Sequence, residues 1–275
     1  MELFFRLKEK KSLPNVSDNV GRFVRTNSES LIGVRVPNTR DDLSKGVAIG
    51  SGIYIDEHTH IEAVRYPNGS DSMSAWTTLL TGGRPGPGRV GLWMKNLLVA
   101  TLLHPIRTFR VLQPFGWARE SVILLCMQAL DGHIDMKWMH SYLWPLRKVL
   151  ATRGERIPTF IPAANKFAEM FAQIVGGSPM SMLPEILFDI PGTAHCLGGC
   201  VMAASAEHGV VDSRNRVFGY RNMYVCDGSI VAANLGVNPS LTITALSERA
   251  MSFIPMRSET AWNDAAEEAA LARAM

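Results

Sequence analysis

A mixed fold of strands and helices, α/β or α+β, is what this sequence predicts, and three observations predict it. Runs rich in β-branched and aromatic residues alternate at strand period within residues 31–66, and a further apolar run of strand length spans 121–130. Apolar residues recur at helical spacing around 92–105, 144–154 and 163–177. Strands and helices then follow one another without a regular βαβ beat. The 275 residues, 47% hydrophobic and 19% charged, suit one large domain or two modest ones and exclude a disordered chain.

The elements follow in chain order. The opening MELFFRLKEKK is too short in its apolar part for a signal-peptide core, since Arg6, Lys8, Glu9, Lys10 and Lys11 come at once. Residues 12–30 read as a turn, a short amphipathic helix capped by Ser17 or Asp18, and a polar turn. LIGVRV, GVAIGSGIYI and HIEAVRY read as strands separated by turn residues, and DSMSAWTTLL at 71–80 turns helical. After the loop GGRPGPGRVG, the helix GLWMKNLLVATLLHP is ended by Pro105. SVILLCMQAL reads as a buried strand. WPLRKVLATRG and AANKFAEMFAQIVGG read as helices, the second closed by Gly176 and Gly177. NMYVCD at 222–227 reads as a strand, a helix opens at Pro239, and the Ala- and Glu-rich last residues predict a solvated terminal helix.

Composition excludes several function classes. Twenty-eight basic against 25 acidic residues give a net charge of +3, too small and too evenly spread an excess to imply nucleic acid. Four cysteines do not make a disulfide scaffold. The longest uncharged run, Gly228 to Ser247, contains Asn234, Asn238, Pro239 and five hydroxyl residues, which excludes a membrane span. The expectation is a soluble, cytoplasmic protein in a reducing compartment.

Chemistry concentrates in 192–253. The predicted strand NMYVCD ends in Asp227 followed by Gly228, so a carboxylate at a strand tip can meet a ligand's hydroxyls while bare backbone approaches closely. Gly-Val-Asn-Pro at 236–239 opens a helix, whose free N–H groups favour negative charge in front of them, such as the edge of a reduced flavin. His195 lies in a loop with Gly198 and Gly199, and an imidazole is suited to accept a proton near neutral pH.

These blocks closely resemble the C-terminal signature of the glucose–methanol–choline (GMC) family of flavin oxidoreductases, in its cholesterol oxidase-like branch. The matching residues are His195 with Leu197-Gly198-Gly199-Cys200, Asn222-Met223-Tyr224-Val225 with Asp227-Gly228-Ser229, Gly236-Val237-Asn238-Pro239, and Thr242-Ile243-Thr244-Ala245-Leu246 with Glu248-Arg249. GRFVRTNSES, HIEAVRYPNGSDSM and SVILLCMQALDG extend the likeness upstream, over residues 12–255. The resemblance implies FAD as cofactor and hydride transfer to flavin N5 from the CH–OH group of a bulky alcohol, such as a 3-hydroxysteroid. It implies that His195 and Asn238 hold the substrate oxygen and that Asp227, Gly228, Asn238, Pro239 and Ser240 contact the flavin. It also implies a carboxylate for steroid isomerisation near a Pro-x-Gly; Pro67-Asn68-Gly69-Ser70-Asp71 offers Asp71, for which a helix N-cap is the favoured reading, since Asp before a helix needs no further reason.

The family opens with a strand, a G-x-G-x-x-G turn and a helix, and this chain starts inside the family's length. The expectation is a fragment lacking the N-terminal FAD-binding part, which would be its partner. Residues 1–45 would be the exit from the flavin domain and a crossing segment, and 46–190 a mixed-sheet substrate domain with helices. Residues 191–256 would return to the Rossmann-like FAD domain, and 257–275 would be a tail. A catalytically silent remnant that binds an apolar ligand or a subunit is the alternative.

Some features point elsewhere. Gly86-Pro87-Gly88-Arg89-Val90-Gly91 is a literal G-x-G-x-x-G, but residues 108–114 supply no acid and two prolines stiffen the turn. His195, Cys196 and Cys200 crowd into six residues without a second half, so no metal is expected. Leu92 to Leu103, with Lys95, Arg107 and Arg110 nearby, reads as a core helix or as an interfacial one giving peripheral membrane contact through 92–110. The 14 methionines read as core filler or as the lining of an adaptable apolar pocket.

Overall fold

The computed structural model describes residues 1–84, 86–141, 144–154 and 157–255. The elements are α1 (Glu2–Glu9), β1 (Ser30–Arg35), β2 (Ile49–Tyr54), β3 (Thr59–Val64), β4 (Thr77–Leu79), α2 (Pro87–Leu103), α3 (Pro105–Leu112), α4 (Trp117–Glu120) and β5 (Ser121–Gln128). They continue with β6 (Asp135–His140), β7 (Lys148–Arg153), α5 (Pro162–Val175), β8 (Ser178–Met182), α6 (Leu183–Leu187) and α7 (Ser240–Ser252). Strands and helices are mixed, as the sequence predicts.

Six strands form one antiparallel sheet in the order β2-β3-β5-β1-β8-β4. Side chains alternate between its faces. One face lays Ile32, Val34, Ile61, Leu124 and Cys126 against the alanines of α5, Ala164, Ala168 and Ala172. Helix α5 ends on Gly176 in the left-handed conformation, φ 66°, as the paired glycines predict. On the other face Ile123 and Met180 pack with Val111 of α3 and with Trp117 and Ala118 of α4. A separate core joins the two ends of the chain: Val16 and Val20 pack with Leu197, Val210, Val211, Val217, Val225 and Ile230.

Several local expectations are corrected. Residues 144–154 contain strand β7, because β6 supplies a hydrogen-bonding partner from Asp135↔Arg153 to His140↔Lys148. Residues 12–29 hold turns and the isolated bridges of Val24 and Arg25 rather than a helix, and the nearest helix is α1, which ends at Glu9. Residues 71–80 form a 3₁₀ turn over Asp71–Trp76 followed by β4. NMYVCD is not a strand: Tyr224 makes an isolated bridge to Arg216, and Val225 is held by Asn215. The G-x-G-x-x-G at 86–91 runs into the first turn of α2. The expected terminal helix lies outside the described residues.

Candidate active site

One short segment, residues 24–29, organises the site. Val24 pairs with Ile134 and Arg25 with Leu197 through reciprocal backbone hydrogen bonds. The second pairing lays the His195 loop against the chain. Gly198 (φ 70°) permits the approach, because a Cβ there would overlap the Phe23 carbonyl. Asn27 and Ser28 then take the left-handed conformation, φ 55° and 47°, which turns the chain sharply into β1.

The turn aims two side chains at two loops. Asn27 is wholly buried. Its Oδ1 accepts from the amides of Leu235 (2.9 Å) and Gly236 (3.3 Å), and its Nδ2 donates to the Val237 carbonyl (2.9 Å). The Leu235–Val237 backbone leading into Asn238 is therefore held by this carboxamide, and Asn234 at the head of the loop accepts from the Asn27 amide and donates to the Leu130 and Gly132 carbonyls. Glu29, also wholly buried, accepts from the Ala194 amide (2.9 Å) and from Nδ1 of His195. Asn27 and Glu29 lie two residues apart, at most ~7 Å between their Cα atoms. The loops carrying His195 and Asn238 are thus fixed from a common point, although 43 residues separate them in sequence.

A carboxylate on Nδ1 makes that nitrogen the donor and leaves the Nε2 lone pair outward. Nε2 has no hydrogen-bond partner among the described residues, and the His195 side chain retains 10% exposure. A buried, oriented imidazole with one open nitrogen can accept a proton from a bound hydroxyl.

Asn238 meets a second acid. Its Nδ2 donates to Glu62 Oε2 at 2.6 Å, and its Oδ1 is buried without a hydrogen-bond partner among the described residues. Glu62 is on β3 and shares a sheet face with Leu125 and Leu31, to which it is joined by direct register. His60, on the same face, brings Nδ1 to 3.6 Å from Glu62 Oε1 and stacks on Tyr54, with centroids 4.5 Å apart. The His60 Nδ1 is also buried, and at that distance it has no hydrogen-bond partner among the described residues. The orphaned Asn238 Oδ1 and His60 Nδ1 are an acceptor and a ring nitrogen that a ligand could satisfy.

Asp71 is engaged elsewhere. Its two oxygens accept from the amides of Gly116 and Ala118, each at 2.9 Å, at the start of α4. No hydrogen bond joins it to His195 or Asn238 among the described residues. It does not cap its own turn, which has Ser70 at the N-cap and no side-chain cap bond; it caps α4, distant in sequence, instead.

The remaining candidates form one edge. Asp227 Oδ1 accepts from the Ser229 amide and hydroxyl and closes a 3₁₀ turn over Gly228–Ile230. The carbonyls of Gly228 and Ser229 accept from Gly198 and Cys200, which staples this turn to the His195 loop. Helix α7 starts behind Pro239 with no side-chain cap, and Ser240 and Leu241 are exposed. The leading amides of such a helix have no acceptor within it, so this edge suits an anionic group.

Behind the His195 loop lies a further buried acid. Glu185 of α6 accepts from the Leu31 amide (3.0 Å) and the Ser30 hydroxyl (3.1 Å). Burial pushes its carboxyl up to about 7. Next to the site, a cavity of about 550 Å3 is lined by Ile134, Met136, Ile157, Phe188 and Ile190 and reaches Thr26 and Thr193.

Glu29, Glu62, Asn27 and Glu185 belong to no motif in the sequence. Glu62 had a signal: an acid within the strand pattern HIEAVRY, between His60 and Val64 on one face. Asn27 and Glu29, in TNSES, look like ordinary turn residues, and nothing local marks their burial.

Comparison with known proteins comes to the same region. Residues 126–247 match the GMC oxidoreductase C-terminal pattern. A protein named cholesterol oxidase from Acinetobacter baumannii is 52% identical over 256 residues, covering 93% of this chain and 45% of that protein. One of the same name from Mycobacterium tuberculosis is 40% identical over 270 residues, covering 94% and 45%. A long-chain-alcohol oxidase of Arabidopsis thaliana is 41% identical over 51 residues, covering 18% and 7%. The chain therefore spans about 45% of the length of these two cholesterol oxidase-named relatives.

Proposed function

We propose, for a chain that carries the C-terminal part of a GMC oxidoreductase, that it forms the substrate side of an FAD-dependent enzyme oxidising the CH–OH group of a bulky apolar alcohol, of the sterol class. The observation that carries the reading is the common anchorage of the His195 and Asn238 loops on Asn27 and Glu29. FAD, when bound, would supply the hydride acceptor. The Asp227–Gly228 turn, Asn238, Pro239 and the start of α7 at Ser240 would hold it, supported by the uncapped helix end.

This chain's residues would do the rest. His195 Nε2 accepts the hydroxyl proton while Glu29 keeps Nδ1 protonated and the ring oriented. Asn238 holds the substrate oxygen from the other side, its carboxamide set by Glu62. The apolar cavity beside Thr193 suits a bulky hydrocarbon body, and its volume lies in the usual range of small-molecule sites. If the reaction includes double-bond migration, Glu62 is the favoured proton carrier over Asp71, since its carboxylate touches Asn238 whereas that of Asp71 is spent on two backbone amides.

The test is a chimera that supplies the remaining length from the Acinetobacter baumannii relative. His195→Gln should lower kcat by ~10² or more with FAD retained. Unchanged turnover in that variant refutes the assignment.

A further inference from the structure

We propose that the outer face of α2 and α3 docks on an anionic lipid bilayer. Met94, Leu98 and Leu102 recur every four residues along α2 and form one line on its surface, with Leu103 beside its end. Ile106 and Phe109 of α3 extend the line past the Pro105 corner, and all six are at least 60% exposed. The opposite side of each helix is committed to the body of the protein. Trp93 donates its indole N–H to Thr78, and Thr108 and Val111 are buried. The outward residues are thus held in place with nothing covering them among the described residues. A contiguous exposed apolar patch of this kind marks an interaction surface.

Charge selects the occupant. The stretch from residue 72 to residue 119 contains no Asp or Glu; of its six basic residues, Arg89 is buried against Thr159 and Arg119 faces Asp42, whereas Lys95 and Arg110 stand beside the apolar line. Lys95 lies among the apolar line, three and four residues before Leu98 and Val99, and Arg110 lies four residues after Ile106. Both are exposed and have no ion pair among the described residues. Arg107 differs, being turned inward onto Gly177 O and Ser178 Oγ. A protein partner would leave Lys95 in the middle of an apolar contact, where interfaces are depleted in lysine. Anionic headgroups would pair with Lys95 and Arg110 while the acyl region takes the leucines and phenylalanine. No helix among the described residues is long and apolar enough to cross a membrane, so the contact lies in the plane of the surface. The inference does not depend on the proposed reaction.

The experiment is co-sedimentation of the full chain with vesicles of phosphatidylcholine alone, or with about one part in three phosphatidylserine. Partitioning should be at least ~tenfold stronger onto the anionic vesicles and should weaken with added salt. Lys95→Glu with Arg110→Glu should lower it by ~25-fold or more, at about fivefold for each cation lost. Leu98→Glu with Leu102→Glu should abolish it, whereas Ile174→Glu, an exposed apolar residue on α5, should leave it unchanged. Circular dichroism checks that each variant is folded, and the wild-type lipid preference stands without any variant. Failure of the wild-type chain to bind either vesicle overturns the proposal. So does undiminished binding by the folded Leu98/Leu102 variant. A dimer that this variant dissociates, without vesicle binding, also overturns it and assigns the face to a second copy of the chain.

Discussion

Replacing Asn27 by alanine tests the point from which the site is suspended. The side chain is wholly buried and makes three hydrogen bonds to the Leu235–Val237 backbone. Removing it leaves two amides and a carbonyl without partners. At ~1.5 kcal/mol for each of the two shorter bonds and ~0.7 for the longer, the loss is ~4 kcal/mol. The backbone at Asn27 is left-handed, φ 55°, which adds ~1 kcal/mol for alanine but not for glycine. Asn27→Ala should therefore destabilise by ~5 kcal/mol and Asn27→Gly by ~4. Asn27→Asp retains both acceptor bonds but sets an oxygen against the Val237 carbonyl, so it should cost ~2–3 kcal/mol. Thermal unfolding by circular dichroism gives the ranking, with a shift of roughly 10–15 °C for alanine. Amide hydrogen exchange at Leu235 should accelerate in Asn27→Ala and Asn27→Gly, which lose its acceptor, and far less in Asn27→Asp, which keeps it. A cost below ~1 kcal/mol for alanine, with Leu235 still protected, would refute the anchoring argument.

Two further expectations concern the buried acids. Glu29 should hold His195 in the Nδ1–H tautomer, read from ring ¹⁵N shifts at a pH where the imidazole is neutral. Glu29→Gln, which keeps an acceptor, should preserve that tautomer and Glu29→Ala should lose it; an Nε2–H signal in the wild type would contradict the assignment. Glu185 is raised on folding from 4.5 to about 7, so between those values the folded chain binds the extra proton and stability falls as pH rises. Glu185→Gln should therefore melt above the wild type at pH 8, by up to ~3 kcal/mol, with the gap closing towards pH 4.5; a gap that does not vary with pH would exclude this origin.

Much of the fold is legible in local pattern, and the exceptions have physical causes. β1, β2, β3 and β5 alternate or run apolar as strands do, and α2, α5 and α7 carry their own stop or start residues in Pro105, Gly176 and Pro239, although α2 begins at Pro87, inside the segment that reads as a loop. β8 was hidden because Pro179 removes a donor, yet it lies between β1 and β4, where register and side-chain packing hold it. β7 departs from the helix its sequence predicts because VLAT suits either period and the pairing with β6 decides. In the site, the motif residues His195 and Asn238 were legible because their loops carry distinctive glycines and a proline. Their supports were not. Glu29 and Asn27 act through a turn of two left-handed residues that brings loops from the far end of the chain together, and no local spacing encodes that contact. Asp71 shows the converse: its local pattern predicts a cap, and it caps a helix that only the tertiary fold brings near.

The most direct test is a crystal structure of the flavin-completed chimera with a 3-hydroxysteroid bound. The account predicts the carbinol oxygen within hydrogen-bond distance, ~3 Å, of both His195 Nε2 and the Asn238 carboxamide, with the hydrocarbon body in the cavity beside Thr193. A hydroxyl that contacts neither group, or a steroid seated against Asp71, would contradict it.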